Sequence, residues 1–100
     1  MAIADVQIKG GWLEVYDEKG KKISYMYPSG KQLLGVANDF FVISTGGWWE
    51  VYDEKCKKIS YMSPSGKEFR GATGSSFTIK NGGWIETYDK NCKKTGYRSA

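Results

Sequence analysis

Apolar and polar residues alternate along this chain in short runs. Val6 and Ile8 flank Gln7, Leu13 and Val15 flank Glu14, Ile23 and Tyr25 flank Ser24, and Ile85 and Thr87 flank Glu86. A period of two over short runs predicts half-buried β-strands, not helices. Gly-Gly, Glu-Lys-Gly and Pro-Ser-Gly interrupt the runs and predict tight turns between them.

The pattern repeats. Gly-Gly-Trp stands at Trp12, Trp48 and Trp84, each followed by Trp-x-Glu-x-Tyr-Asp and then by a Lys-Lys pair. A fixed period means one supersecondary unit used several times. The 100 residues therefore read as a single domain, 1–100, with repeats at approximately 1–36, 37–72 and 73–100, the third without its last strand. Each complete unit reads as four short antiparallel strands. The fold class is all-β: an up-and-down meander closed as a pseudo-threefold prism or barrel. Three propeller-type blades completed by oligomerisation, or a β-trefoil, are the alternatives.

Turn chemistry sets an expected register. Glu18-Lys19-Gly20, Pro28-Ser29-Gly30 and Thr45-Gly46-Gly47 read as three-residue hairpin loops, and Gly10-Gly11 as a two-residue one. These oppose Val6 to Val15, Ile8 to Leu13, Val15 to Ile23, Leu13 to Tyr25, Tyr25 to Leu33, Leu33 to Phe41 and Ile43 to Trp49. One face then stays apolar along the chain, because a slip of one residue would invert it. The predicted core is Val6, Ile8, Leu13, Val15, Ile23, Tyr25, Leu33, Phe41, Ile43, Trp49 and Val51, with Ile59, Tyr61, Phe69, Phe77, Ile79, Ile85, Thr87 and Tyr97. Gly35 and Gly71 fall at inward-facing positions and predict sharp bends or close backbone approach.

The opposite face varies less between the units than the core does. It carries Trp12, Glu14, Tyr16 and Lys22, then Trp48, Glu50, Tyr52 and Lys58, then Trp84, Glu86, Tyr88 and Lys94. A structural account is that Trp and Tyr cover a neighbouring sheet while Glu14 meets Lys22 on the diagonal. A functional account is a shallow groove. A Trp ring offers a platform to the apolar face of a sugar, and Glu, Tyr and Lys offer polar contacts at its rim. This reading gives a non-enzymatic binding module, with carbohydrate as the ligand. The alternative is a self-associating structural repeat protein, paired through an open edge near Tyr97, or an engineered symmetric scaffold with no small-molecule ligand.

Composition narrows the chemistry. The net charge is +4 and there is no His, which removes Ser-His-Asp and Cys-His catalysis and the commonest metal ligand. Three like units do not supply one unique pair of carboxylates flanking a cleft, so no enzyme, metal or cofactor is expected. Cys56 and Cys92 occupy the place of Gly20, a left-handed turn position. Being repeat-related, they are expected to lie too far apart for a disulfide and to be free surface thiols. Lys21-Lys22, Lys57-Lys58 and Lys93-Lys94 alternate with Asp17, Asp53 and Asp89, which dilutes any basic stripe and argues against nucleic acid. No segment has the length of a membrane span. Residues 1–5 lack a basic and apolar leader, so a cytoplasmic location is expected.

The run Glu-Val-Tyr-Asp-x-x-x-Lys-Lys-Ile resembles the strand pairs of monocot-type β-prism lectins. Their mannose motif is absent: counting back from Tyr52, the corresponding positions hold Glu50, Trp48, Gly46 and Ser44. No binding residue is carried over. The Gly-Gly-Trp openings also resemble choline-binding repeats, whose further aromatics are missing here.

Overall fold

The computed structural model describes residues 3–27 and 31–99. Among them there are eleven strands and no helix. These are β1 (Asp5–Lys9), β2 (Trp12–Tyr16), β3 (Lys22–Met26), β4 (Gln32–Val36), β5 (Phe40–Ser44), β6 (Trp49–Asp53), β7 (Lys58–Met62), β8 (Lys67–Thr73), β9 (Ser76–Asn81), β10 (Trp84–Asp89) and β11 (Lys94–Ser99). They do not form one continuous meander. They form three antiparallel sheets, with orders β1-β2-β3, β4-β5-β6-β7 and β8-β9-β10-β11, and the sheets do not close into a prism or barrel.

The sheets stack face to face with the second in the middle. Leu13 and Val15 of the first sheet pack with Phe41, Ile43 and Tyr52 of the second. From its other face, Phe40, Val42, Trp49 and Val51 pack with Phe77 and Ile79 of the third. All four residues Phe40–Ile43 are fully buried, because β5 is apolar on both faces. Each such side chain contributes about 1.5–3 kcal/mol of burial. The expected single apolar face is therefore corrected. It described half of β5 and left out Phe40 and Val42.

Several registers differ from those expected, and β-bulges are the cause. The two-residue Gly10-Gly11 turn opposes Val6 to Val15 and Ile8 to Leu13, as read from the sequence. Asp17 also pairs with Lys21 as expected, its N–H donating to the Lys21 carbonyl at 2.9 Å. One step on, a bulge at Val15/Tyr16 absorbs a residue, so Val15 faces Ser24, Glu14 faces Tyr25 and Leu13 faces Met26. The same bulge recurs at Val51/Tyr52 and Thr87/Tyr88. Tyr25, Tyr61 and Tyr97 are thereby turned out of the expected core and into solvent. Ile8 is also 51% exposed. The Gly46-Gly47 turn is a two-residue loop closed by Thr45 and Trp48, which places Ile43 opposite Glu50 and Trp49 opposite Ser44. A further bulge places Leu33 opposite Ile43 and Gly35 opposite Val42. The Pro28-Ser29-Gly30 loop lies outside the described residues. The strands on either side of it, β3 and β4, belong to different sheets, so Tyr25 does not pair with Leu33.

Specific contacts join the sheets. Ser24 Oγ donates to the Glu54 carbonyl in the β6–β7 hairpin at 2.5 Å, and Ser60 Oγ donates to the Lys90 carbonyl in the β10–β11 hairpin at 2.6 Å. Asn38 bridges all three sheets: its carbonyl accepts from Ile3 N–H and its N–H donates to the Gly74 carbonyl. A methyl group at Gly35 would sit 3.0 Å from the Phe69 ring, so the expected close approach is real there. Gly71 has nothing within 4 Å of that position.

Candidate functional site

Three grooves of one design lie on the β2–β3, β6–β7 and β10–β11 hairpins. Trp12, Glu14, Lys22 and Tyr25 line the first, Trp48, Glu50, Lys58 and Tyr61 the second, and Trp84, Glu86, Lys94 and Tyr97 the third. The Gly-Gly turn introduces each Trp at the start of its strand, and alternation then puts Glu and Tyr on the same face. The bulge brings the second Tyr across to join them. Trp, Glu and Lys, expected on one face of each hairpin, line the same groove. Tyr25, Tyr61 and Tyr97, expected in the core, join them, because no local signal marks a bulge after a regular turn.

The geometry is the same in each groove. The Trp and outer Tyr rings meet edge to face, with centroids 5.5, 5.2 and 5.4 Å apart. Nζ of Lys22, Lys58 or Lys94 pairs with the Glu carboxylate at 3.3–3.4 Å, the diagonal contact expected from the sequence. The same ammonium lies 5.5–5.7 Å from the centroid of the outer Tyr ring, within range of a cation–π contact. Trp12, Trp48 and Trp84 are each about half exposed.

Tyr16, Tyr52 and Tyr88 are not groove walls. Each donates its hydroxyl hydrogen to the Glu two residues before it, at 2.5, 2.8 and 2.9 Å. Tyr52 stacks on Phe41 and Tyr88 on Phe77, each across strands of its own sheet, and Tyr52 packs into the first inter-sheet core and Tyr88 against the second. Their role is to orient the carboxylate from behind. The Tyr16 hydrogen bond holds the Glu14 carboxyl below its ordinary range; partial burial opposes this and Lys22 reinforces it. Tyr88 does the same for Glu86, with Lys94 reinforcing it. Burial first, and the neighbouring carboxylate second, push the Tyr88 phenol up to about 12. The same causes raise that of Tyr52.

The grooves differ in size, at ≈ 350 Å³ for the second, ≈ 190 Å³ for the third and ≈ 120 Å³ for the first. Tyr27 stands 5.8 Å from Trp12, ring centroid to ring centroid, where the other units have Ser63 and Ser99.

Each groove has one carboxylate, already neutralised by its own lysine. Glu14, Glu50 and Glu86 lie on three separate sheets and do not converge. The hairpin carboxylates have structural work: Asp17 Oδ1 accepts from the N–H groups of Lys19 and Lys21, both at 2.9 Å, and Asp53 and Asp89 repeat this. Among the described residues no group of three or more His, Cys, Asp or Glu is placed to hold a metal ion.

Cys56 and Cys92 take the left-handed conformation expected of them, with φ of 61° and 59°, and both are free. They are half-buried, not surface thiols. Cys56 packs against the first core and Cys92 against the second. Burial pushes both thiols up from their ordinary range, which favours the protonated form.

No protein-family model matches the chain, and no curated protein matches it. Among solved structures it is similar to BamB from Moraxella catarrhalis, a β-propeller, at a TM-score of 0.55 and 14% identity. The match covers 98% of this chain and 32% of that one, so the chain spans about a third of the neighbour's length. At this identity the likeness speaks for the fold alone.

Proposed function

We propose that this protein is a non-enzymatic binding module whose three grooves each take a neutral sugar unit. One observation carries the reading: the same Trp, Glu, Lys and Tyr meet in the same geometry three times. A half-exposed Trp face suits the apolar face of a pyranose, and the Glu–Lys pair offers acceptors and donors at its edge. A cationic ligand is disfavoured, because Lys already occupies the Tyr ring and the carboxylate. Each groove lies on its own sheet beside its own Gly-Gly turn, and a set of three weak sites gains by avidity on a repeating polymer. In this reading the sheets are propeller-type blades, a view supported by their face-to-face stacking and by the fold likeness to a propeller.

The test is Trp fluorescence titrated with a panel of neutral oligosaccharides, for the parent and for Trp12→Ala, Trp48→Ala and Trp84→Ala. Quenching by at least one sugar, reduced by each substitution and lost in the triple variant, supports the reading. Quenching by no sugar, or an unchanged response in the triple variant, overturns it.

Self-association is the second reading. It is favoured by the exposed rings of Trp12, Tyr25, Tyr27, Trp48, Tyr61, Trp84 and Tyr97 and by the free outer edge of β11 near Tyr97 among the described residues. Large exposed apolar patches commonly mark interaction surfaces. Light scattering across micromolar concentrations separates the two: a multimer that Trp48→Ala dissociates favours self-association.

A further inference from the structure

Two of the sheets have four strands and the first has three. The difference lies at the inner strand. β4 follows β3 in sequence but crosses to become the inner strand of the second sheet, and β8 follows β7 but joins the third. Among the described residues no strand takes that place beside β1, which pairs on one side only, with β2. Its other edge presents backbone donors and acceptors, the ordinary template for strand addition.

The surroundings of this edge say what would fit it. Ile8 is 51% exposed there. Its repeat equivalents beside the inner strands of the other two sheets are polar, Ser44 and Lys80. The contact between β4 and β8 supplies a template. Gly35 of β4 backs onto Phe69 and Ala72 of β8, where a methyl would lie 3.0 and 3.2 Å away. The repeat equivalents of Phe69 and Ala72 in β4 are Leu33 and Val36, both only partly buried. A strand added to β1 would thus meet Leu33 and Val36 with the residue equivalent to Gly35. Both inner strands carry apolar-x-Gly-apolar here, as Leu33-Leu34-Gly35-Val36 and Phe69-Arg70-Gly71-Ala72.

A whole additional sheet does not fit. The outward face of the first sheet carries Asp5, Gln7 and Lys9, where the buried equivalents are Phe41 and Ile43, or Phe77 and Ile79. Its hairpin carries Gly20, where the two hairpins that dock onto a preceding sheet carry Cys56 and Cys92. A polar outer face of this kind is the mark of a capping repeat.

We propose that the free edge of β1 is a docking site for one extended segment of a partner polypeptide, of the pattern apolar-x-Gly-apolar, added as the inner strand of the first sheet. The site is distinct from the three aromatic grooves. The test adds a synthetic peptide of the β8 sequence, Lys-Glu-Phe-Arg-Gly-Ala-Thr, to the full chain and follows amide hydrogen exchange in β1. A second peptide carries Val in place of its Gly, and a third is scrambled. The first peptide should slow exchange of the edge amides of β1 by roughly tenfold or more at saturation, and the other two should not. Three results would each overturn the proposal: no slowing with the first peptide, equal slowing with the scrambled one, or β1 edge amides in the free protein already as protected as those of β2. Unchanged exchange in β5 and β9 serves as the folding control.

Discussion

Ser24 Oγ lies 3.4 Å from Cys56 Sγ across the junction between the first two sheets, and Ser60 Oγ lies 3.2 Å from Cys92 Sγ across the next. The Ser24 hydroxyl has one hydrogen, which goes to the Glu54 carbonyl, so its oxygen is left to accept from the thiol. Cysteine in a left-handed turn costs about 1–2 kcal/mol relative to glycine. The cost is met where the sulfur packs against a preceding sheet. Among the described residues no sheet precedes the first hairpin, which carries Gly20, and none follows the third sheet, which carries Gly96 in place of Ser24 and Ser60.

The clasp should be measurable. Ser24→Ala leaves the Glu54 carbonyl without its partner in a part-buried junction, at a cost of about 1–2 kcal/mol. Ser60→Ala should cost less, because its bond to Lys90 is more exposed. Urea denaturation of the single variants and of Ser24→Ala/Cys56→Ala gives the coupling. Additive effects would mean that the serine and the thiol act separately.

The thiols provide a second measurement. Raised by burial, they should react with a thiol reagent at neutral pH at least tenfold more slowly in the native protein than in urea. Rapid native labelling of Cys56 or Cys92 would contradict their packing between sheets. With the folded value above the unfolded one, the stability contribution is full below the unfolded pKa. It is lost as pH rises through the folded one.

Gly35 and Gly71 occupy equivalent places, and the sequence alone predicts the same role for both. The structure separates them. Gly35→Ala drives a methyl to 3.0 Å from the Phe69 ring and 3.2 Å from Ala72 Cβ, and overpacking of this kind costs about 1–3 kcal/mol. Gly71→Ala meets nothing within 4 Å, and its melting temperature should match that of the parent. Equal effects at both sites would contradict the stacking order.

That contrast shows what could be read from the residues. The strands, the Gly10-Gly11 register, the Glu14–Lys22 diagonal and the left-handed Cys56 and Cys92 follow from local chemistry and were legible. The bulges at Val15/Tyr16 and Leu33/Gly35 were not, since a regular hairpin loop gives no sign that a residue will be absorbed one pair later. Tyr25 therefore looked like core when it forms a groove wall. Phe40 and Val42 looked outward-facing on a one-sided sheet. Only the crossing of β4 and β8 to the next sheet gives β5 a second buried face, and that is tertiary information.

Carboxylate titration gives a pH prediction with a fixed sign. Glu14 and Glu86 have folded pKa values below the ordinary 4.5. Their contribution to stability is present above 4.5 and is lost as pH falls through the lower folded values. Urea midpoints should hold from pH 7 to about 5 and drop below 4.5. Tyr88→Phe removes the main cause of the Glu86 shift, so its acid-side drop should be smaller than that of the parent. On the alkaline side, Tyr88 at about 12 against an ordinary 10 means a loss of stability beginning near pH 10, which should be smaller in the same variant, where the raised Tyr16 and Tyr52 phenols still contribute.

The lysine on each outer Tyr ring makes the final prediction, about ligand selectivity. Lys58 both neutralises Glu50 and covers Tyr61, so it closes the second groove to cations. Lys58→Met keeps the stem while removing the charge. The groove would then offer a Trp, a Tyr ring and an unpaired carboxylate, a set that attracts quaternary ammonium groups by about 0.5–2 kcal/mol per aromatic contact. Titration of tetramethylammonium, followed by the nuclear magnetic resonance shifts of Trp48 and Tyr61, should show binding to Lys58→Met and none to the parent. Binding to the parent at equal strength would mean that Lys58 does not control the groove, and the argument for a neutral ligand would lose its basis.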